Sequence, residues 1–474
     1  RDDSEAGGLD AAMNRVYSAK NYERFYTGGG VHRFHNYMPR DNGREVSVRE
    51  AFEDSINLPF IRMMEDIVHY TIYNKMHIDP AVYDDAEDPK RAKYLDRYVL
   101  HDAVQHFNRI YNQYNGKTPD EVKALIFSKL REDMPPAHIA ALDRYINPSR
   151  DLKGFTALLN DKSGTDHQYL LTEGAFESLH RRYAADQYDL NDRAYITDIH
   201  PIELWLASEF IENPKADYKT LRRGVVNMAP DIYKWLEKSD NEDRKNLYVY
   251  TMLEQDAFDV IHKNWAAKGF PFPRLIPSFA TSIGVSGDTP AALSTLMGIV
   301  LNDGKRLPYT DFTEVHLGQD TPYERNFVYR PPAAEQVLDA RIAAIVKDNL
   351  ENIVQNGTAR RAKNAVKLSN GDTWALGGKT GTGDNRIAYL DRYGNVETSE
   401  VRNRTATFVF NFGERYFGTM VAYAAGEDAE NEEFTSSLPT QAFKEIMKDL
   451  TPLLEPPQEK AVQPTPLLLP APSV

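Results

Sequence analysis

The sequence predicts a mixed α/β fold of antiparallel strands and helices, interrupted by a large helical insertion. Three observations predict it. Residues 405–412 alternate, with Ala406, Phe408, Phe410 and Phe412 on one face, then Gly413-Glu414-Arg415 turns and Phe417–Ala424 returns, the pattern of an antiparallel hairpin. Apolar stripes at helical spacing flank it in sequence, opening behind Ser47, behind Asp288-Thr289-Pro290 and near Ala333. From about Lys75 to Ala267 the chain is helical in pattern, charged and rich in tyrosine.

The 474 residues suffice for about three domains, or for one large domain carrying an insertion. Hydrophobic content of 41% and charged content of 27% are ordinary for a globular protein. The formal charge of −14 argues against nucleic acid, whose phosphates would be repelled. With no cysteine, disulfides, thiol nucleophiles and Cys-zinc sites are excluded. No run of about 18 apolar residues spans a membrane. No signal peptide is present and the first residue is Arg1 rather than Met, so the chain reads as a processed or excised piece, and any anchor or targeting signal would lie upstream of it.

Four segments follow: a first core part at 1–74, the helical insertion at 75–267, a second core part at 268–450 and a Pro-rich tail at 451–474. In the first, Ser47-Val48-Arg49-Glu50 is a capping box that starts a short helix running to about Asp54. A break at Ser55-Ile56-Asn57 precedes a second helix with Pro59 near its first position, and Phe60, Met64, Ile67, Val68 and Thr71 mark its buried face. Asn57 therefore reads either as the cap of that helix or as a side chain projecting into a cleft.

In the insertion, Thr118-Pro119-Asp120-Glu121 is a second capping box, and helical patterns recur near Leu95–Tyr111, Pro136–Tyr145, Glu203–Ile211 and Val249–Trp265. No fixed-period repeat appears, which argues against a solenoid. After the turn at Pro271–Pro277, Leu293, Leu296, Met297, Val300 and Leu301 form a stripe ended by Asn302-Asp303-Gly304, and a further helix covers about Ala333–Gln355. From Pro452 to Val474 there are seven prolines and no periodicity, the composition of a disordered or polyproline tail.

The chemistry concentrates at Trp374–Asp384, read as a short strand, a lysine between hydroxyls, and a loop. Gly377, Gly378 and Gly381 surround Lys379, so a bound backbone could lie along this edge as an added strand. Lys379 with Thr380 and Thr382 is a donor set for a carboxylate. Chance would produce Lys-Thr-Gly-Thr in about one chain in a hundred of this length. A phosphate loop is disfavoured, because Thr373 stands where its first glycine must be. Twelve histidines include no His-Glu-x-x-His, and the pairs His32/His35 and His101/His106 lack a third ligand, so no metal or other cofactor is expected. No Gly-x-Ser-x-Gly elbow is present.

Ser55-x-Asn57 and Lys379-Thr380-Gly381-Thr382 together resemble two of the three active-site elements of penicillin-binding proteins and serine β-lactamases. The resemblance extends to the transpeptidase half of the class A (bifunctional) penicillin-binding proteins over about residues 10–70 and 270–425. There Val48–Pro59 is similar to the Ser-x-Asn segment. Ser282-Ile283-Gly284 through Thr289-Pro290 and Asn302-Asp303-Gly304 are similar to its "LG…TP…NGG" helix, and Gly357-Thr358 to its "GT".

The resemblance implies an antiparallel sheet with helices on both sides and a serine D,D-transpeptidase that cross-links peptidoglycan stem peptides. Ser55 would relay a proton and Asn57 would hold the donor's amide. Lys379, Thr380, Gly381 and Thr382 would bind its terminal carboxylate or a β-lactam, and the Thr382 N–H would serve the oxyanion. It implies a periplasmic location, inner-membrane anchoring through an upstream region, and an upstream glycosyltransferase. Partner proteins would dock through the insertion or tail. The family's nucleophile sits in Ser-x-x-Lys, which occurs nowhere in this chain. The nucleophile is therefore expected outside the chain, leaving this fragment alone inactive. The alternatives are a non-catalytic scaffold and a β-lactamase or β-lactam sensor.

Overall fold

The computed structural model describes residues 8–131, 134–162, 168–184, 186–237, 239, 241–287, 289–390, 396–426 and 428–455. The chain forms two compact units, residues 1–76 with 254–474, and residues 77–253.

The unit of residues 77–253 contains helices and no strand among its described residues. Its principal helices include Pro89–Tyr114, Pro119–Ser128, Pro136–Ile146, Pro201–Glu212 and Tyr218–Ile232. Thr118 and Glu121 form the reciprocal capping box that the sequence predicts. Phe107, Tyr114, Phe155 and Phe210 are fully buried in one continuous core, each stabilising the unit by about 2–3 kcal/mol through apolar burial. The division between units falls within helix Glu242–Ala267, whereas the sequence pattern places the boundary at that helix's end. Its apolar period continues past residue 253, but from Glu254 onward its partners change. The Glu254 carboxylate accepts from Thr27 Oγ1 and, at 2.9 Å, from the Gly28 N–H. Burial raises it to about 7.

In the other unit, helix α1 (Val48–Asp54) begins with Ser47 Oγ accepting the Glu50 N–H at 3.1 Å. The box is only half made, because the Glu50 carboxylate pairs with Arg44 instead. Helix α2 (Asn57–Tyr70) buries Leu58, Ile61, Met64 and Val68. Helix α3 (Pro290–Leu301) is capped by Thr289; Asp288 lies outside the described residues. Helix α4 spans Ala340–Gln355 and starts seven residues later than the pattern suggests. Glu335–Gln336 pairs with Lys305–Arg306 as a short ladder, and the Asp339 carboxylate then captures the Arg341 N–H at 2.8 Å. Cap chemistry, not apolar spacing, sets that start.

Strands β1 (Leu376–Leu390), β2 (Val396–Phe412) and β3 (Tyr416–Ala425) form an antiparallel sheet in the order β3-β2-β1. The hairpin register pairs Phe412 with Tyr416 and Phe408 with Met420. On one face Phe408 and Phe412 pack with Phe443 and Met447 of helix α5 (Ser437–Leu454). The Phe408 and Phe443 rings lie 5.3 Å apart, edge to face. The other face meets α3, where Ser294 Oγ bonds Thr419 Oγ1 at 2.9 Å, and α4, where Leu350 abuts Gly377. Helices thus cover both faces, as the sequence reading requires.

Two expectations are corrected. The chain does not loop out after Thr382: β1 continues to Leu390, because β2 is long enough to pair with it throughout, Thr407 opposite Gly381 and Thr405 opposite Gly383. Helix α5 continues through Pro452 to Leu454 rather than ending where the proline-rich stretch begins. Its end is held by the Tyr416 hydroxyl donating to Leu454 O at 2.8 Å and by the Glu455 carboxylate accepting the Ser369 N–H at 2.6 Å. Residues 456–474 lie outside the described residues.

Candidate functional site

Each half of the site is positioned by local chemistry. At the end of α1, Ser55 adopts a left-handed conformation (φ 57, ψ 47) while its N–H caps Ala51 O. Such a backbone costs a non-glycine residue about 1–2 kcal/mol. It turns the chain sharply between α1 and α2 and leaves the hydroxyl at the corner. Helix α1 is pressed against α4: Asn352 Nδ2 donates to Glu53 Oε2 at 2.6 Å, and a Cβ on Gly357 would come within 2.4 Å of Glu53 O. That packing carries Ser55 to the sheet.

Lys379 lies on β1, one of the two edge strands of this sheet among the described residues. Its Nζ donates to Ser55 Oγ at 2.7 Å and to Thr380 O at 2.9 Å. Both partners are neutral oxygens. Burial lowers the ammonium from its ordinary range to about 8, because desolvation without an ion-pair partner disfavours the charge. Near neutral pH this group can both carry and release a proton beside a serine hydroxyl.

Asn57 is the first residue of α2 and not its cap, which is Ile56 without a side-chain bond. Its Nδ2 donates to His35 O at 2.9 Å. Asn36, which no sequence pattern singles out, organises this corner. It is 7% exposed, its Oδ1 accepts the Leu58 N–H at 3.1 Å, and its Nδ2 donates to Ala19 O at 2.8 Å. No local spacing signals it, because both contacts are set by tertiary folding.

The flanking residues on β1 divide. Thr380 is 8% exposed and its Oγ1 lies 2.7 Å from Thr358 Oγ1. Thr382 is exposed, and its Oγ1 accepts the Ser436 N–H at 2.9 Å. The three glycines have different reasons. A Cβ on Gly378 would sit 2.5 Å from the Phe408 ring, and one on Gly377 would sit 2.8 Å from Asn411 Oδ1. These two serve packing, which corrects the expectation that all three admit a bound backbone. Only Gly381 has nothing within 4 Å of an added Cβ.

Ser55 and Lys379 thus meet beside the open edge of β1, with Thr380 and Thr382 further along the same strand and Asn57 at the start of α2. An ammonium, an exposed hydroxyl and an unobstructed strand edge suit a peptide that ends in a carboxylate. No cluster of metal-ligating side chains occurs among the described residues.

Residues 248–448 match the family model of the penicillin-binding protein transpeptidase domain. The matched segment holds Thr358, Lys379, Thr380 and Thr382, while Ser55 and Asn57 precede it. Among solved structures, the chain is similar to penicillin-binding protein 3 from Mycobacterium tuberculosis complexed with aztreonam, at 15% identity and a TM-score of 0.29, covering 42% of this chain and 48% of that one. The ampicillin complex of the same protein gives 16% identity, a TM-score of 0.28 and coverages of 43% and 48%. The chain therefore spans about half the length of the structures it matches. No curated protein matches it. The class defined here is a mixed α/β fold whose second half matches the family model of the penicillin-binding protein transpeptidase domain.

Proposed function

We propose that the chain forms the substrate-binding part of a peptidoglycan D,D-transpeptidase of a bacterial cell-wall synthase, with the acylated serine outside these residues. The observation that carries this reading is the 2.7 Å hydrogen bond from Lys379 Nζ to Ser55 Oγ, between motifs 324 residues apart, beside an open strand edge. Lys379 and Thr382 hold the terminal carboxylate of a D-Ala-D-Ala donor. Its backbone lies along Gly381, where no Cβ stands in the way. Asn57, whose amide nitrogen is engaged by His35 O, presents Oδ1 to the donor's N–H.

The serine oxygen attacks the penultimate carbonyl, and the Thr382 N–H stabilises the oxyanion. Ser55 passes a proton to the departing D-Ala amine and takes up the one the attacking serine releases, while Lys379 stays an ammonium. An amine on a neighbouring strand then displaces the ester. In this reading the protein works outside the cytoplasmic membrane, held there by a region beyond these residues. A glycosyltransferase precedes it, and residues 77–253 or the tail recruit partner proteins.

Labelling the full-length protein with a fluorescent penicillin, followed by mass-spectrometric mapping, tests this. Modification of a serine outside the 474 residues is expected. Absence of labelling overturns the enzyme and favours a second reading, a non-catalytic peptidoglycan-binding scaffold, which is supported by the lack of any Ser-x-x-Lys in this chain. Labelling of Ser55 would sink the relay role.

A further inference from the structure

The Thr382 hydroxyl has one proton and two lone pairs. The Ser436 N–H occupies one lone pair at 2.9 Å, which pins the oxygen and leaves the proton for an incoming acceptor. Ser436 is itself held from the sheet. Arg404, on β2, donates through Nε to Phe434 O at 2.8 Å, and its guanidinium carbon lies 5.7 Å from the centre of the Phe434 ring. Its Nη1 donates to Asp384 Oδ1 at 3.0 Å and to Oδ2 at 3.3 Å. Asp384 stands two residues beyond Thr382 on β1. One planar guanidinium therefore ties the strand bearing Thr382 to the segment bearing Ser436. Its charge is already matched by Asp384, so its influence on a ligand is geometric.

We propose that Arg404 is a positioning residue that, through Phe434–Ser436, makes the Thr382 hydroxyl a fixed donor to a ligand carboxylate. Thr382, rather than the buried Thr380, is the hydroxyl that makes this bond. This rests on the reading of the Lys379 strand as a carboxylate site.

The test is isothermal titration of the 474-residue chain with an N-acylated D-alanyl-D-alanine dipeptide and with its C-terminal amide, scored as the acid-over-amide preference. The unaltered chain prefers the acid, and Lys379→Ala abolishes that preference. Arg404→Gln lowers it by about fivefold to tenfold, part of the worth of one hydrogen bond to a charged group. Ser436→Pro, tolerated by its φ of −56, removes the N–H and lowers it equally. In a Thr382→Val background, Arg404→Gln has no further effect. If Arg404→Gln weakens acid and amide alike, or acts undiminished without the Thr382 hydroxyl, Arg404 is merely structural and the proposal falls. A wild-type preference in Ser436→Pro also overturns it. No Lys379-dependent preference in the unaltered chain overturns the parent reading instead.

Discussion

The helical unit of residues 77–253 and the sheet unit differ in where their buried polar groups find partners. In the helical unit the buried Arg193 guanidinium donates to the carbonyls of Ala141, Tyr183 and Ala184, and Asp143 pairs with Arg150 seven residues away. Such groups complete a core. In the sheet unit the half-buried Lys379 ammonium, like Arg193, meets only neutral oxygens, but one of them is a serine hydroxyl 324 residues distant. An ionisable group left without a counter-charge beside an open edge marks a site more clearly than burial does.

The largest effect that would sharpen this contrast is on function. Lys379→Ala in the full-length protein is expected to slow penicillin acylation by at least about 100-fold with little change in melting temperature. Comparable acylation in the mutant would remove the ammonium from the site. Phe210→Ala should do the reverse, destabilising the helical unit by about 3–5 kcal/mol in calorimetry while labelling of the folded protein persists.

Acid should separate the two units further. His106 and His200 stack with ring centroids 3.7 Å apart, and burial lowers them to about 3 and about 4. The unfolded chain takes up protons first as pH falls below about 6.5, so the stability these neutral rings contribute is complete above that value and is lost as pH drops towards 4 and then 3. A loss on the order of 3 kcal/mol per ring between pH 6.5 and 4 follows for the helical unit. His106→Phe should flatten the pH dependence of its melting; an unchanged slope would refute the assignment.

The smallest expected effect lies within β1. Gly378→Ala, with its Cβ 2.5 Å from Phe408, should cost about 1–3 kcal/mol of stability. Gly381→Ala, with nothing within 4 Å, should leave stability unchanged and weaken ligand binding. Equal melting temperatures for the two variants would erase the distinction between packing and site glycines.

Much of this was legible because it depends on neighbours in sequence. The Thr118 box, the alternation of Ala406, Phe408 and Phe412, and the turn at Gly413 each record a requirement met within a few residues. Lys379 with Thr382, and Ser55 before Asn57, stood out as residue types with no use in a core. Asn36, Arg404 and Ser436 did not, since a capping amide, a strand arginine and a helix-start serine are ordinary wherever they occur. The start of α4 was misplaced because apolar spacing runs on past the point where Asp339 caps it.

By itself, the sequence determined the helices, the hairpin and the donor set around Lys379, because periodicity and cap chemistry act over a few residues. Tertiary structure alone decided that Ser55 turns left-handed against Lys379, that Gly378 packs while Gly381 stays open, and that Arg404 braces Thr382. Those outcomes depend on which distant surfaces fill the space around each backbone atom, and no local pattern encodes that.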